Sequence, residues 1–351
     1  WGESHGQALG VVIDGCPAGL TIHIDDINAA LSLRSPGKNL YTSFRKEPDM
    51  AEILSGIFEG QTTGAPILIL IRNQDQDSSK YEPIKNILRP GHANFTYLKK
   101  YGIFDHRGGG RASARETAAR VAAGAIAAKF LETLDIQTFA YLKQVGNIKA
   151  QIESIDLASL QTSIHNSPLF CPDPLASSKM LTLIKETKTQ GDSLGGLVEF
   201  IAIHVPIGLG DPVYDKLEAR LAYAMMGIPA SKGFEIGLGF EATTLLGSEH
   251  NDLFIKKNNL VQTKTNHAGG ILGGISTGMP IIGRVAFKPT SSIAKIQDSL
   301  KVSGENTLLQ LPPGSRHDPC VAIRAVPVVN AMLALVLADT ILLNRCAKLS
   351  C

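Results

Sequence analysis

The chain has 351 residues, 44% of them hydrophobic, and its 34 Lys+Arg against 32 Asp+Glu leave a formal net charge of +2. That length supplies a full core without covalent staples, and the near-neutral balance argues against nucleic acid as a partner, so any cationic site must be a local concentration of basic residues. The cysteines Cys16, Cys171, Cys320, Cys346 and Cys351 are odd in number, scattered and without a C-x-x-C, which argues against a disulfide framework and a structural zinc site and suits a reducing cytoplasm.

The sequence starts at Trp1 with no charged n-region and apolar h-region, so no secretory signal is expected, and the native N-terminus is expected a few residues upstream. GESHG from Gly2 sets His5 in a turn of small residues. ALGVVIDG from Ala8 reads as a strand and DDINAALSLR from Asp25 as a helix with an acidic start. EILSGIFEG from Glu52 and APILILI from Ala65 read as two further strands joined hairpin-fashion by QTTG.

The stretch from Arg89 to Ala127, RPGHANFTYLKKYGIFDHRGGGRASARETAARVAAGAIA, concentrates the chemistry. Ser113 and Glu116 have the spacing of a capping box, and Ala114 to Leu131 is dense in strong helix formers, so a helix is expected there. Gly108, Gly109 and Gly110 deliver the chain into its first turn beside Arg111 and Arg115. Free N–H groups, a positive dipole end and two guanidinium groups make an anion site; by spacing alone, a helix start with solvated arginines is an equal reading. His92 and His106 stand in or near turns, where a histidine is more often structural than catalytic, although a reference pKa of ~6.5 suits proton transfer.

Downstream, GGLVEFIAIHV from Gly195 and PIIGRVAF from Pro280 read as strands, and DKLEARLAYAMMG from Asp215 as a helix stopped by Gly227. VPVVNAMLALVLADTILL from Val326 carries Asn330 and Asp339 and reads as a buried helix rather than a membrane span. Few strands are followed by a crossover helix, so the sheets are expected antiparallel and the class α+β. With no repeat or linker, residues 1–351 are expected to form a single domain.

NHAGGILGGISTG from Asn266, KPTSS from Lys288 and GSRHDPC from Gly314 repeat the theme of glycine beside phosphate-compatible groups. Neither H-E-x-x-H nor a calcium-type loop occurs, so the expected pocket holds several anions and no metal. There is no G-x-x-x-x-G-K-[ST], and GLGFEA from Gly237 lacks a helical continuation, which counts against nucleotide-binding readings.

GESHG, RPGHANFTY, GGGRASARETAARVAAGAIA, KGFEIG, NHAGGILGGIS, KPTSS and RHDPCVAIRAVPV stand in the order and approximate spacing of the chorismate synthase family, which the chain resembles from Gly2 to about Asp339. The resemblance implies a β-α-β sandwich, with helices packed between two antiparallel sheets. It also implies a carbon–oxygen lyase that removes phosphate and a ring hydrogen from 5-enolpyruvylshikimate 3-phosphate by anti-1,4 elimination, giving chorismate. Reduced FMN is then required without net redox change, NADPH enters only as an indirect reductant, and an external flavin reductase, a homotetramer and a cytoplasmic location are expected.

Carried over residue by residue, the resemblance makes His5 the proton donor to the departing phosphate. It puts His92 near the flavin's pyrimidine edge and has Asp318 assist proton removal at the flavin's reactive nitrogen. Arg34, Arg45, Arg89, Ser113, Arg115 and Arg316 would hold substrate; Arg111, Ala112, Ser113, Pro229, Ala230, Gly273, Lys288, Pro289, Thr290, Ser291, Ser292 and Arg316 would hold FMN. LRSPGKNL departs from the family's arginine-rich loop by placing Leu33 and Leu40 where arginines are expected, with Lys38 as the nearby cation; Ala112 replaces a usual Ser, and His106 matches no family role. A non-catalytic FMN- or anion-binding protein and an ATP-dependent phosphotransferase are the alternatives.

Overall fold

Burial alternates strictly along Ile67–Arg72 and Ile281–Phe287, the signature of a strand with one face in a core. The computed structural model describes residues 1–35, 48–75, 77–152, 157–257, 259–312 and 317–349, and in it each of these strands is central to a sheet. Ile67–Arg72 pairs antiparallel with Ala8–Ile13 on one side and Ala51–Ile53 on the other. The second sheet is also antiparallel and runs Ile148–Lys149, Gln137–Val145, Gly196–Ile203, Ile281–Phe287, Ser231–Ile236.

Two helices fill the space between the sheets. The alanine-rich helix Thr117–Glu132 packs on the first sheet, and the C-terminal helix Ala322–Asn344 packs on the second. They meet at backbone distance, because a Cβ on Gly124 would fall 2.4 Å from that of Ala331; the close approach is what the glycine permits. One core runs through all four layers, from Leu9 and Ile69 through Ala122 and Leu333 to Val198 and Val285. The expected α+β sandwich is therefore the observed one. The C-terminal helix is long and apolar enough to cross a membrane, yet Val329, Leu333 and Leu337 are fully enclosed by protein.

Three local expectations change. QTTG is not the hairpin loop: Ile57–Phe58 pairs with Gln61–Thr62, and the turn falls at Glu59 and Gly60, both at positive φ (48° and 76°), as a two-residue hairpin demands. QTFAYLKQV, Gln137–Val145, is a strand that no turn signal announced. The capping box does not form. Ser113 Oγ accepts from Arg115 N at 3.3 Å and caps a short 3-10 turn, the helix proper starts at Thr117, and Glu116 turns instead to Arg120 at 3.0 Å.

Candidate active site

The layers open into a cavity of about 800 Å³ at the N-terminal ends of both central helices. His5, Arg34, Arg89, His92, Arg111, Ala112, Ser113, Arg115, Pro229, Ala230, Lys288 to Ser292 and Asp318 all line it, so segments separated by hundreds of residues converge as the sequence reading expects. Gly273 does not: it occupies the turn between Ile271–Leu272 and Ile275–Ser276, away from the lining residues. Arg45 and Arg316, with Lys38 and Leu40, lie outside the described residues. His106 is outside the cavity wall and meets Glu82 at 3.2 Å.

The glycine triplet explains how the two histidines are seated. Gly108 and Gly109 have φ of +60° and +87°, a region costly to residues with a Cβ. A Cβ on Gly108 would lie 2.2 Å from His5 Cδ2 and 2.5 Å from its Nε2, and one on Gly109 would lie 3.2 Å from His92 Nε2. Gly108 and Gly109 are thus shaped to the two imidazoles. Gly108→Ala is expected to push His5 aside; a crystal structure of the variant with the imidazole in its original position would contradict this.

His92 belongs to a turn locked by Asn94, whose Oδ1 accepts from Arg89 N at 3.1 Å and whose Nδ2 donates to Ile87 O at 3.0 Å. Its Nδ1 accepts from Asn94 N at 3.2 Å and lies 3.1 Å from an Arg89 guanidinium nitrogen. Burial, then the positive charge of Arg89, lowers the His92 pKa to about 3. The ring is therefore neutral and accepts hydrogen bonds here. His317, another lining residue, is lowered to about 4 by burial and again by Arg89.

Arg34 and Arg115 are buried rather than displayed. Asp49, itself fully enclosed, accepts from Arg34 Nη1 at 2.9 Å and from Arg115 Nη1. Arg34 also donates to Thr117 Oγ1 at 3.0 Å and to Ala114 O at 3.1 Å, and burial followed by Arg324 brings its pKa down to about 9. Arg115 Nε donates to Asn73 Oδ1 at 2.9 Å, while Asn73 Nδ2 donates to Glu3 O and Gly6 O at 3.1 and 2.8 Å. Asn73 therefore fastens the GESHG turn to the arginine pair. Arg34 thus braces this wall from a buried position while still lining the cavity.

The opposite wall is built by the loops after the second sheet. Lys288 donates to Gly91 O, Thr290 Oγ1 donates to Asp318 O at 2.9 Å, and Lys288 N donates to Ala230 O at 3.0 Å. Asp318 Oδ2 accepts from Arg324 at 2.9 Å, and Arg324 Nε donates to Arg34 O at 3.2 Å. Asp49 and Asn73, which hold the arginines of this wall, have no signal in the sequence, and Arg324 stands unassigned inside RHDPCVAIRAVPV; His317, in the same segment beside Asp318, lines the cavity.

The family model described as chorismate synthase matches residues 1–342. Similar proteins include the chorismate synthase of Protochlamydia amoebophila (strain UWE25), 59% identical over 100% of this chain and 96% of that relative. That of Methanocella arvoryzae (strain DSM 22066 / NBRC 105507 / MRE50) is 49% identical over 97% of this chain and 90% of its own length. A solved structure described as the crystal structure of chorismate synthase superposes with a TM-score of 0.77 at 34% identity, covering 98% of this chain and 90% of that one. With its histidines, arginines and glycine triplet gathered in one cavity and its whole length matched, the chain belongs to the chorismate synthase family, whose members are carbon–oxygen lyases.

Proposed function

We propose that this chain converts 5-enolpyruvylshikimate 3-phosphate to chorismate in the 800 Å³ cavity, the carrying observation being that the two candidate proton-transfer histidines share one arginine-rich wall. Two carboxylates and a phosphate on the substrate need fixed cations, and preorganised guanidinium groups in a partly desolvated site supply them without reorganisation. Arg89 and Arg115, with Ser113, hold substrate anions; Arg34 orients that set through Asp49 and Ala114 O. His5 gives a proton from Nε2 to the departing phosphate. His92, neutral and hydrogen-bonded to Arg89 and Asn94, would keep the charge at the flavin's edge of the site suited to electron donation, and Asp318, aimed by Arg324, serves as the carboxylate base.

The donor set of the opposite wall fits reduced FMN. One ammonium, Lys288, and the hydroxyls of Thr290, Ser291 and Ser292 suit a phosphomonoester, and Gly91 makes room for them, since a Cβ there would be 3.2 Å from Ser291 Cβ and 3.6 Å from Lys288 Nζ. Arg111, Ala112, Ser113, Pro229, Ala230 and Pro289 complete the holding set. When bound, reduced FMN supplies transient electron donation with no net redox change.

A homotetramer fits the exposed apolar side chains of the 207–272 region, such as Tyr214, Phe240 and Phe254, and a second copy would be the way for Gly273 to approach a flavin. Free thiols at Cys16, Cys171, Cys320 and Cys346 suit the cytoplasm, and NADPH acts only through an external flavin reductase. The continuous core supports reading the chain as a single domain. The test is anaerobic: protein, reduced FMN and substrate are expected to release phosphate together with a ring diene absorbing in the near ultraviolet. Flavin binding without phosphate release would reduce the chain to a binding protein.

A further inference from the structure

Between the first sheet and the RPGH turn runs a connection that carries no recognised motif, ending in the 3-10 turn Ser79–Ile84. It nonetheless grips His5. Ser78 Oγ lies 2.9 Å from His5 Nδ1. The Tyr81 ring meets the imidazole edge-on, with centroids 5.3 Å apart and planes at 87°, and the Arg89 guanidinium lies 6.0 Å from the centroid of the same ring. On the far edge of the imidazole, Gly108 leaves only the space a missing Cβ provides.

An imidazole can be rotated by half a turn about its last torsion at little intrinsic cost, exchanging its nitrogens for carbons. What breaks that degeneracy is a hydrogen bond to one nitrogen, which also fixes which nitrogen serves the reaction. We infer that Ser78 is the positioning residue of the proton donor: its hydroxyl oxygen accepts Nδ1–H of His5, and in the imidazolium form of the ring this commits Nε2–H to the cavity beside Gly108, leaving the neutral Nδ1–H tautomer once that proton has gone. The proton that leaves goes from Nε2 to a phosphate oxygen of the substrate, and Ser78 itself exchanges nothing. Tyr81, in contact with both His5 and Arg89, packs the proton donor beside an anion-holding arginine.

This inference rests on His5 being the proton donor. The test measures phosphate release with full-length protein and reduced FMN under anaerobic conditions, using Ser78→Ala, Ser78→Thr, His5→Ala and the double variant His5→Ala/Ser78→Ala. Ser78→Ala is expected to lower kcat by roughly 10- to 100-fold, the usual effect of removing a group that orients a working histidine, with KM, flavin affinity and Tm unchanged. Ser78→Thr, which keeps the hydroxyl, is expected to restore most of the rate. In the His5→Ala background the serine change is expected to do nothing more. Wild-type kcat in Ser78→Ala beside an impaired His5→Ala would overturn the role of Ser78 alone; wild-type kcat in His5→Ala would overturn the assignment of His5 beneath it. An equal loss from Ser78→Ala in both backgrounds would mean that the serine acts on something other than the histidine.

Discussion

Replacing either His5 or His92 by Ala is expected to lower turnover by roughly 10²–10⁴-fold, the ordinary worth of positioned acid–base help, while FMN still binds. The two losses have different origins. His5 is 9% exposed and held by Ser78 and Tyr81, so truncation removes a proton donor and leaves the flavin wall intact. His92 is held neutral by burial and by Arg89, with a pKa lowered to about 3; its loss removes the neutral ring that receives Arg89 and the Asn94 N–H. Because the folded value lies below the ordinary one, His92 takes up a proton only as pH falls toward about 3 in the ligand-free protein, and it is not expected to produce a limb in the pH profile between about 5 and 8. Single-turnover phosphate release, paired with FMN titration, measures both. Unimpaired turnover in either variant would remove that histidine from the reaction.

Asp49→Asn is the second large effect. Asp49 is the shared counter-ion of Arg34 and Arg115, whose side chains are 1% and 4% exposed. Removing its charge leaves two buried guanidinium groups against each other, and breaking a buried pair in this one-sided way costs about 3–5 kcal/mol. Chemical denaturation at neutral pH is expected to show that loss, together with a raised substrate KM. Removing Arg34 as well, in Asp49→Asn/Arg34→Met, is expected to recover part of the stability, because the uncompensated charge goes too. A loss below about 1 kcal/mol in the single variant would mean that the pair is not electrostatically coupled.

The same carboxylate predicts acid sensitivity with a definite sign. Burial pushes the Asp49 pKa up, but the charges of Arg34 and Arg115 and the hydrogen bonds from Arg115 and Ser35 outweigh it and leave the pKa below the ordinary carboxylate value. Its contribution is therefore complete above the unfolded-state value and is lost as pH falls through the lower folded-state value. Asp49→Asn is expected to flatten that part of the stability curve.

Much of the site was legible because its chemistry is written in short local patterns. Gly108 and Gly109 announce backbone that no other residue adopts cheaply, Arg111 and Arg115 flank a helix start, and RPGH and RHDP each present ionisable side chains in a turn. The strands Ile67–Arg72 and Ile281–Phe287 were legible for a similar reason, since apolar side chains bounded by turn signals have few alternatives. QTFAYLKQV was not. It lies between a helix and a short hairpin, and its burial comes from helices packed on either face.

What the sequence determined by itself is the inventory: which side chains carry charge, which glycines allow positive φ, and which segments are strands or helices. Only the tertiary structure decided their roles. Asp49 meets Arg115 across 66 residues, and no periodicity relates two such positions. The same carboxylate holds Arg34, so the two arginines are fixed as a pair. The charge state of His92 depends on desolvation and on Arg89, and Ser78 matters only because a 3-10 turn carries it to His5. Covalent order fixes which groups are present, but desolvation and through-space contact exist only once the chain has closed on itself, and those two set how each group behaves.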